Sequence, residues 1–291
     1  MPTLGSDGGS GKRPDGRLLA ILVIGLAMLG GAGIALVTGA LPDPGARAGD
    51  VAHGPAPAEV ARPRALVWPW EAIGRVERAS GGHCTGTLIA PDLVLTAGHC
   101  VSGPGGAALP AEAVTFALAD AVGTGAASSG VTEILRPRNL PSPGDDFAVL
   151  RLDAPLEVRP VPLLPEGEPP PGHGLNGRVV LAGYGPDLAS RLAVQQDCRV
   201  LGLAGASVAR HTCTSANGSS GGPVLWGVVP PKDGESAGLD RARVAGVAIG
   251  YAADGSSPRG VLITAPVLRT FMASLAASVG PETETTGGGQ H

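Results

Sequence analysis

The sequence predicts an all-β fold, and three observations predict it. Short apolar runs recur along most of the chain, with turn residues between them, at a spacing that suits barrels or sandwiches. The 47 glycines and 28 prolines are scattered among these runs, while charge stays at 16% and apolar content reaches 43%. Such a composition reads as many turns between buried strands rather than as a chain too polar to bury a core. Helical periodicity appears only once, late in the chain. At 291 residues there is room for one large domain or two small ones.

In chain order, residues 1–17 are polar, with Lys12, Arg13 and Arg17 near their end. Residues 18–41 then carry no charge, long enough to span a bilayer and longer than most secretory apolar regions. The basic flank belongs on the cytoplasmic side. An uncleaved signal anchor fits this pattern; a long signal peptide cut after Ala46-Arg47-Ala48 is the other reading. Residues 42–66 are rich in Pro, Ala and Gly, lack periodicity and read as a tether. A folded domain is expected over 67–279, followed by a polar, disordered tail at 280–291.

Within that domain the apolar runs fall at 73–76, 85–89, 93–96, 114–118, 131–135, 147–152, 179–182, 199–203, 224–228, 244–249 and 261–263. Each is expected to be a strand. Val267, Leu268, Phe271, Met272 and Leu275 then recur with helical spacing. Thr264 is placed to cap this helix, Pro266 lies in its first turn, and Gly280-Pro281 ends it.

Net charge is −4, which gives no sign of a nucleic-acid partner. The four cysteines, Cys84, Cys100, Cys198 and Cys213, fall two in each half and form no C-x-x-C. Zinc-ligand spacing is absent, and no metal or organic cofactor is expected. Two local disulfides are the favoured reading. Closing a loop of this size stabilises by about 3 kcal/mol in the chain-entropy model, and such bonds persist outside the cytosol.

The candidate chemistry centres on Asn217-Gly218-Ser219-Ser220-Gly221-Gly222-Pro223. Glycines allow a sharp turn and close backbone approach, which a nucleophilic serine with neighbouring N–H donors needs. Ser220 is the candidate nucleophile. The literal G-x-S-x-G at 218–222 also fits a nucleophile elbow, but that arrangement needs a histidine after the serine, and only His291 follows. The fitting order is His, Asp, Ser. His99 follows the apolar run 93–96 and directly precedes Cys100, so a covalent tie at Cys100 would steady a general base there. Asp146 opens the apolar run 147–152, where a carboxylate can orient an imidazole; Asp145 is the rival. The sequon Asn217-Gly218-Ser219 would place a glycan on the proposed site and is read as a false positive.

Five ordered blocks resemble the chymotrypsin/trypsin family of serine proteases. They are Cys84-Thr85-Gly86-Thr87-Leu88-Ile89, Leu95-Thr96-Ala97-Gly98-His99-Cys100, Asp146-Phe147-Ala148-Val149-Leu150-Arg151-Leu152, Gly183-Tyr184-Gly185 and Gly218-Ser219-Ser220-Gly221-Gly222-Pro223. The wording is closest to bacterial trypsin-like and V8-like members. The resemblance implies two antiparallel six-stranded β-barrels dividing near residue 160, with a C-terminal helix against the second. It implies His99 as general base, Asp146 as its orienter, Ser220 as nucleophile, and the N–H groups of Gly218 and Ser220 as the oxyanion hole. It also pairs Cys84 with Cys100. Ala216 stands where the family carries a cysteine, which leaves Cys198 to pair with Cys213.

Other positions depart from the animal digestive enzymes. Ser219 replaces the aspartate that receives a newly cut N-terminus, and Ala72-Ile73-Gly74-Arg75-Val76 stands in place of the usual activation site. Thr214 falls where the family puts the base of the substrate pocket. No histidine lies in 244–251, so acid selectivity is unsupported, and a small or medium uncharged residue is expected at the cleaved bond. The resemblance therefore implies an exported or membrane-held serine endopeptidase acting on proteins or peptides. The alternative is a silent module of the same fold that binds a protein partner. Oligomeric state is not legible.

Overall fold

The computed structural model describes residues 66–119, 127–137, 142–168, 178–185, 191–203, 207–214, 218–228, 239–253 and 258–278. The apolar segment 18–41, the tether up to residue 65 and the tail from 279 lie outside them, and so do the expectations placed there. Among the described residues no helix is long and apolar enough to cross a membrane.

Among the described residues, twelve strands run in order: β1 (Ile73–Arg78), β2 (His83–Ala90), β3 (Leu93–Ala97), β4 (Val114–Leu118), β5 (Ala127–Leu135), β6 (Phe147–Leu152), β7 (Arg178–Tyr184), β8 (Leu192–Leu203), β9 (Val208–His211), β10 (Pro223–Trp226), β11 (Arg243–Ala253) and β12 (Pro258–Thr264). An α-helix, α1 (Ala265–Ser278), follows. The strands close into two barrels, ordered β1-β2-β3-β6-β5-β4 and β10-β11-β12-β9-β8-β7. Every strand pair is antiparallel, as expected where short turns join neighbours in sequence. Closure leaves no open sheet edge in either barrel.

The expected strands are all present, and β9 adds one that the apolar pattern does not mark. Its Val-Ala-Arg-His sequence holds two polar residues among four, yet it pairs with both β8 and β12. Small apolar side chains and a few rings fill the interior. Ile73, Leu88, Leu95, Phe116, Phe147 and Leu150 are among the largest fully buried side chains on the first barrel's strands. Removing one such side chain from water contributes roughly 1.5–3 kcal/mol.

The segment after β6 stitches the barrels together. Leu156 N–H donates to Pro91 O and Val161 N–H to Leu88 O, both at 2.8 Å. Leu164 N–H donates to Val244 O and Val244 N–H to Pro162 O, both at 2.9 Å. Tyr184, fully buried at the end of β7, donates its hydroxyl to Ile73 O at 3.1 Å. Burial pushes its phenol pKa up to about 12. Helix α1 begins directly after Thr264, with Pro266 in its first turn. It buries Leu268, sets Phe271 edge-on to Phe147 with ring centroids 5.1 Å apart, and donates from the Arg269 guanidinium to Leu164 O.

Candidate active site

His99 stands just past the C-terminal end of β3, in a short 3₁₀ turn over Gly98–Val101. Asp146 immediately precedes β6, the neighbour of β3 in the barrel. Adjacent strand ends therefore bring together two residues far apart in sequence. The carboxylate meets His99 twice. Oδ1 accepts the His99 backbone N–H at 2.7 Å, and Oδ2 accepts from the ring Nδ1–H at 2.8 Å. An ionised carboxylate only accepts, so Nδ1 carries the hydrogen and Nε2 is left to take up a proton. The His99 side chain is 45% exposed and that of Asp146 19%. Asp145, the rival, lies in the 3₁₀ turn Pro143–Asp145, while both bonds to His99 come from Asp146. Gly98 leaves room for the pair: a β-carbon there would come within 3.1 Å of Asp146 Oδ1.

The disulfide Cys84–Cys100 fastens the other side of His99 to β2. The two sulfurs and the His99 ring offer atoms within 4.8 Å of one another. Both sulfurs are consumed in the disulfide, so neither is a thiolate able to ligate a metal. The turn 218–222 reaches the same place from the second barrel. Thr85 N–H donates to Ser220 O at 2.8 Å, Gly221 N–H to Ala248 O at 2.7 Å, and Ala248 N–H to Gly222 O at 2.9 Å. The Ser220 backbone is thus bonded to the residue after Cys84, which is itself bonded to the residue after His99. Gly221 has φ +83°, and a β-carbon on it would lie 2.2 Å from Thr85 O and 2.3 Å from Thr96 Oγ1. Only glycine fits there.

Two further histidines are partly or fully buried. The His83 ring packs on Gly218, and burial, with the nearby Arg75 cation adding to it, lowers its pKa. His211 on β9 is wholly buried; neither ring nitrogen has a hydrogen-bond partner, and burial pushes its pKa down to about 4. Its ring fills the space over Gly260, where an added β-carbon would sit 2.0 Å from ring Cε1. The second disulfide joins Cys198 to Cys213. Beside it Thr214 is held by one side chain: Gln195 Oε1 accepts the Thr214 N–H at 2.7 Å, and Gln195 Nε2 donates to Thr214 Oγ1 at 3.1 Å.

A family model, the trypsin-like peptidase domain, matches residues 84–227. That span takes in His99, Asp146 and Ser220. The chain belongs to the chymotrypsin/trypsin-like serine protease family. A Glu endopeptidase solved in complex with MPD shares the fold, with a TM-score of 0.54 and 21% identity over 75% of this chain and 96% of the other. A chymotrypsin-like elastase family member 3B of Macaca mulatta is 51% identical over 37 residues, 12% of this chain. The match spans only 14% of that relative's length.

The structure brings His99 and Asp146 into contact and ties the Ser220 backbone beside them. Thr214 is on the second barrel with Gln195. Sequence reasoning missed Gln195, a polar residue in a strand that gives no local sign of its partner. It also missed the Thr85 side chain, whose one signal is its place next to Cys84.

Proposed function

We propose that this chain is an exported serine endopeptidase that hydrolyses peptide bonds through an acyl-enzyme. The observation that carries the reading is the two-point grip of Asp146 on His99 beside the anchored 218–222 turn. Ser220 Oγ attacks the substrate carbonyl carbon while His99 Nε2 takes its proton. Asp146 holds the ring in the tautomer this needs and stabilises the imidazolium that forms. The N–H groups of Gly218 and Ser220 donate to the oxyanion, a contribution of about 2.7–4 kcal/mol per donor in such sites. The imidazolium then protonates the leaving amine, and water, deprotonated by His99, releases the acyl group.

Two disulfides suit a compartment outside the cytosol, and residues 18–41 would hold the chain at a membrane if uncut. Thr214, neutral and paired with Gln195, suits a small or medium uncharged residue at the cleaved bond. The test is covalent labelling of the oxidised full chain with a fluorophosphonate, which phosphonylates an activated serine and expels fluoride. Labelling should vanish in Ser220→Ala and His99→Ala. It should slow by about 10⁴-fold in Asp146→Asn, the loss known for the same change in the family's type enzymes. Equal labelling of Ser220→Ala and wild type would end the proposal.

A further inference from the structure

The residue before the nucleophile is Ser219, so the turn lacks the carboxylate that would pair with a cut N-terminus. The turn is held all the same, by its bonds to Ala248 in the second barrel and, from the first barrel, by Thr85. Thr85 lies on β2 with no exposed surface. Its hydroxyl sits between two main-chain groups of the second barrel. Tyr184 N–H donates to Thr85 Oγ1 at 2.9 Å, and Thr85 Oγ1 donates to Gly218 O at 2.8 Å. The direction is fixed by chemistry. An amide N–H can only donate, so the lone hydroxyl proton must point at Gly218 O. The same residue's N–H donates to Ser220 O. Thr85 thus grips the carbonyls of both residues assigned to the oxyanion hole, one through its side chain and one through its main chain. The peptide that carries the Ser220 N–H lies between these two points, and its Ser219 carbonyl accepts the Gly222 N–H at 2.9 Å.

The surroundings leave the hydroxyl no alternative. A β-carbon on Gly183 would stand 3.1 Å from Thr85 Oγ1 and 3.0 Å from the Ser219 β-carbon. Gly218 has φ +89°, and a β-carbon there would meet His83 Nε2 at 2.6 Å and Tyr184 O at 2.7 Å. The Thr85 main chain is fixed in turn, since its carbonyl accepts from Thr96 Oγ1 at 2.8 Å. A β-branched residue in a strand has few χ1 choices, so the hydroxyl is delivered at little entropic cost.

We propose that Thr85 is a positioning residue whose hydroxyl latches the oxyanion turn in its working shape, so that the enzyme needs no new N-terminus for activity. This rests on the endopeptidase reading. It predicts a defect in the chemical step rather than in ground-state binding, because the hole engages the oxyanion and not the docked ligand.

Fluorophosphonate labelling of the full chain tests it, with the first-order inactivation constant and the apparent affinity for the probe measured separately. Thr85→Val leaves Gly218 O and Tyr184 N–H unpaired in a buried place. It should lower the inactivation constant by about 10–100-fold and change the affinity by less than about 3-fold. Thr85→Ser restores the hydroxyl and should return the constant to within about 3-fold of wild type. A chain with a blocked, uncut N-terminus should label at the wild-type rate. Thr85→Val at the wild-type rate would overturn the latch while leaving the endopeptidase reading standing. So would a need for cleavage near residues 64–72. A wild type that never labels would overturn both. Should Thr85→Val not fold, Thr85→Ser against Thr85→Ala decides, and equal inactivation constants for those two refute the latch.

Discussion

The first barrel keeps its ladder regular where it matters, whereas the second bends its ladder around the turn. In the first, the β3–β6 pairing runs without a break from Leu93–Arg151 to Ala97–Phe147, and His99 and Asp146 sit just past its end. Register shifts occur there only elsewhere, at Leu88/Ala90 and Val131/Glu133. In the second, shifts at Val224/Leu225 and Ala248/Gly250 flank the strands that meet the turn, and others fall at Val179/Leu181 and Val200/Gly202. A bulge re-aims the chain and raises its local twist. One barrel therefore presents side chains from a straight scaffold, and the other presents main chain from a bent one. The two should fail differently when damaged.

The largest effect is expected where main chain is the working part. Gly221→Ala forces a β-carbon into Thr85 O and Thr96 Oγ1 at a positive φ. It should cost about 3 kcal/mol of stability and abolish labelling. Gly105 has a similar φ of +71° but nothing within 4 Å of an added β-carbon. Gly105→Ala should cost only about 1 kcal/mol and leave labelling intact. Urea unfolding of both variants checks the pair.

Next comes a test of whether each disulfide serves its own barrel's task. The two bonds close loops of nearly equal separation, 16 and 15 residues, so removing either should cost about 3 kcal/mol. Replacing Cys84 and Cys100 with alanine should also slow labelling about tenfold, because His99 loses its neighbouring anchor. Replacing Cys198 and Cys213 should leave the rate of the folded fraction near wild type. Equal slowing in both would erase the distinction between the barrels.

The smallest effect concerns the second barrel's interior. Protonation of His211 is disfavoured in the fold, with a pKa of about 4 against 6.5 in the open chain. The neutral ring's contribution is therefore fully present above pH 6.5 and is lost progressively as pH falls towards 4. That amounts to about 3 kcal/mol at most. In His211→Leu this share of the acid sensitivity should disappear, seen as a flatter dependence of the urea midpoint between pH 7 and 4. An unchanged slope would mean that other groups control acid unfolding.

Much of this molecule was legible in its sequence, and what was hidden is consistent. His99, Asp146 and Ser220 are flanked by apolar strands or glycines because the local chain must end a strand or turn sharply there. Strand β9 was hidden because Arg210 and His211 break its apolar pattern; its pairing with β8 and β12, not its composition, makes it a strand. The start of β5 was hidden likewise, since Ala127 to Gly130 are small residues held by pairing with β4 and by bonds to Asp153 and Ala154. The Thr85–Gly218 bond spans 133 residues. No local pattern signals a contact of that kind, which arises only when the barrels close on each other.

Helix α1 follows all twelve strands in chain order, yet its Phe271 ring closes over Phe147, the neighbour of Asp146. On the ribosome, the strands that carry both partners of the His99–Asp146 pair emerge long before that cover does. Phe147, almost wholly buried, is therefore sealed from solvent only after the whole chain has been made and α1 has docked, so the last element synthesised completes the packing at the start of β6.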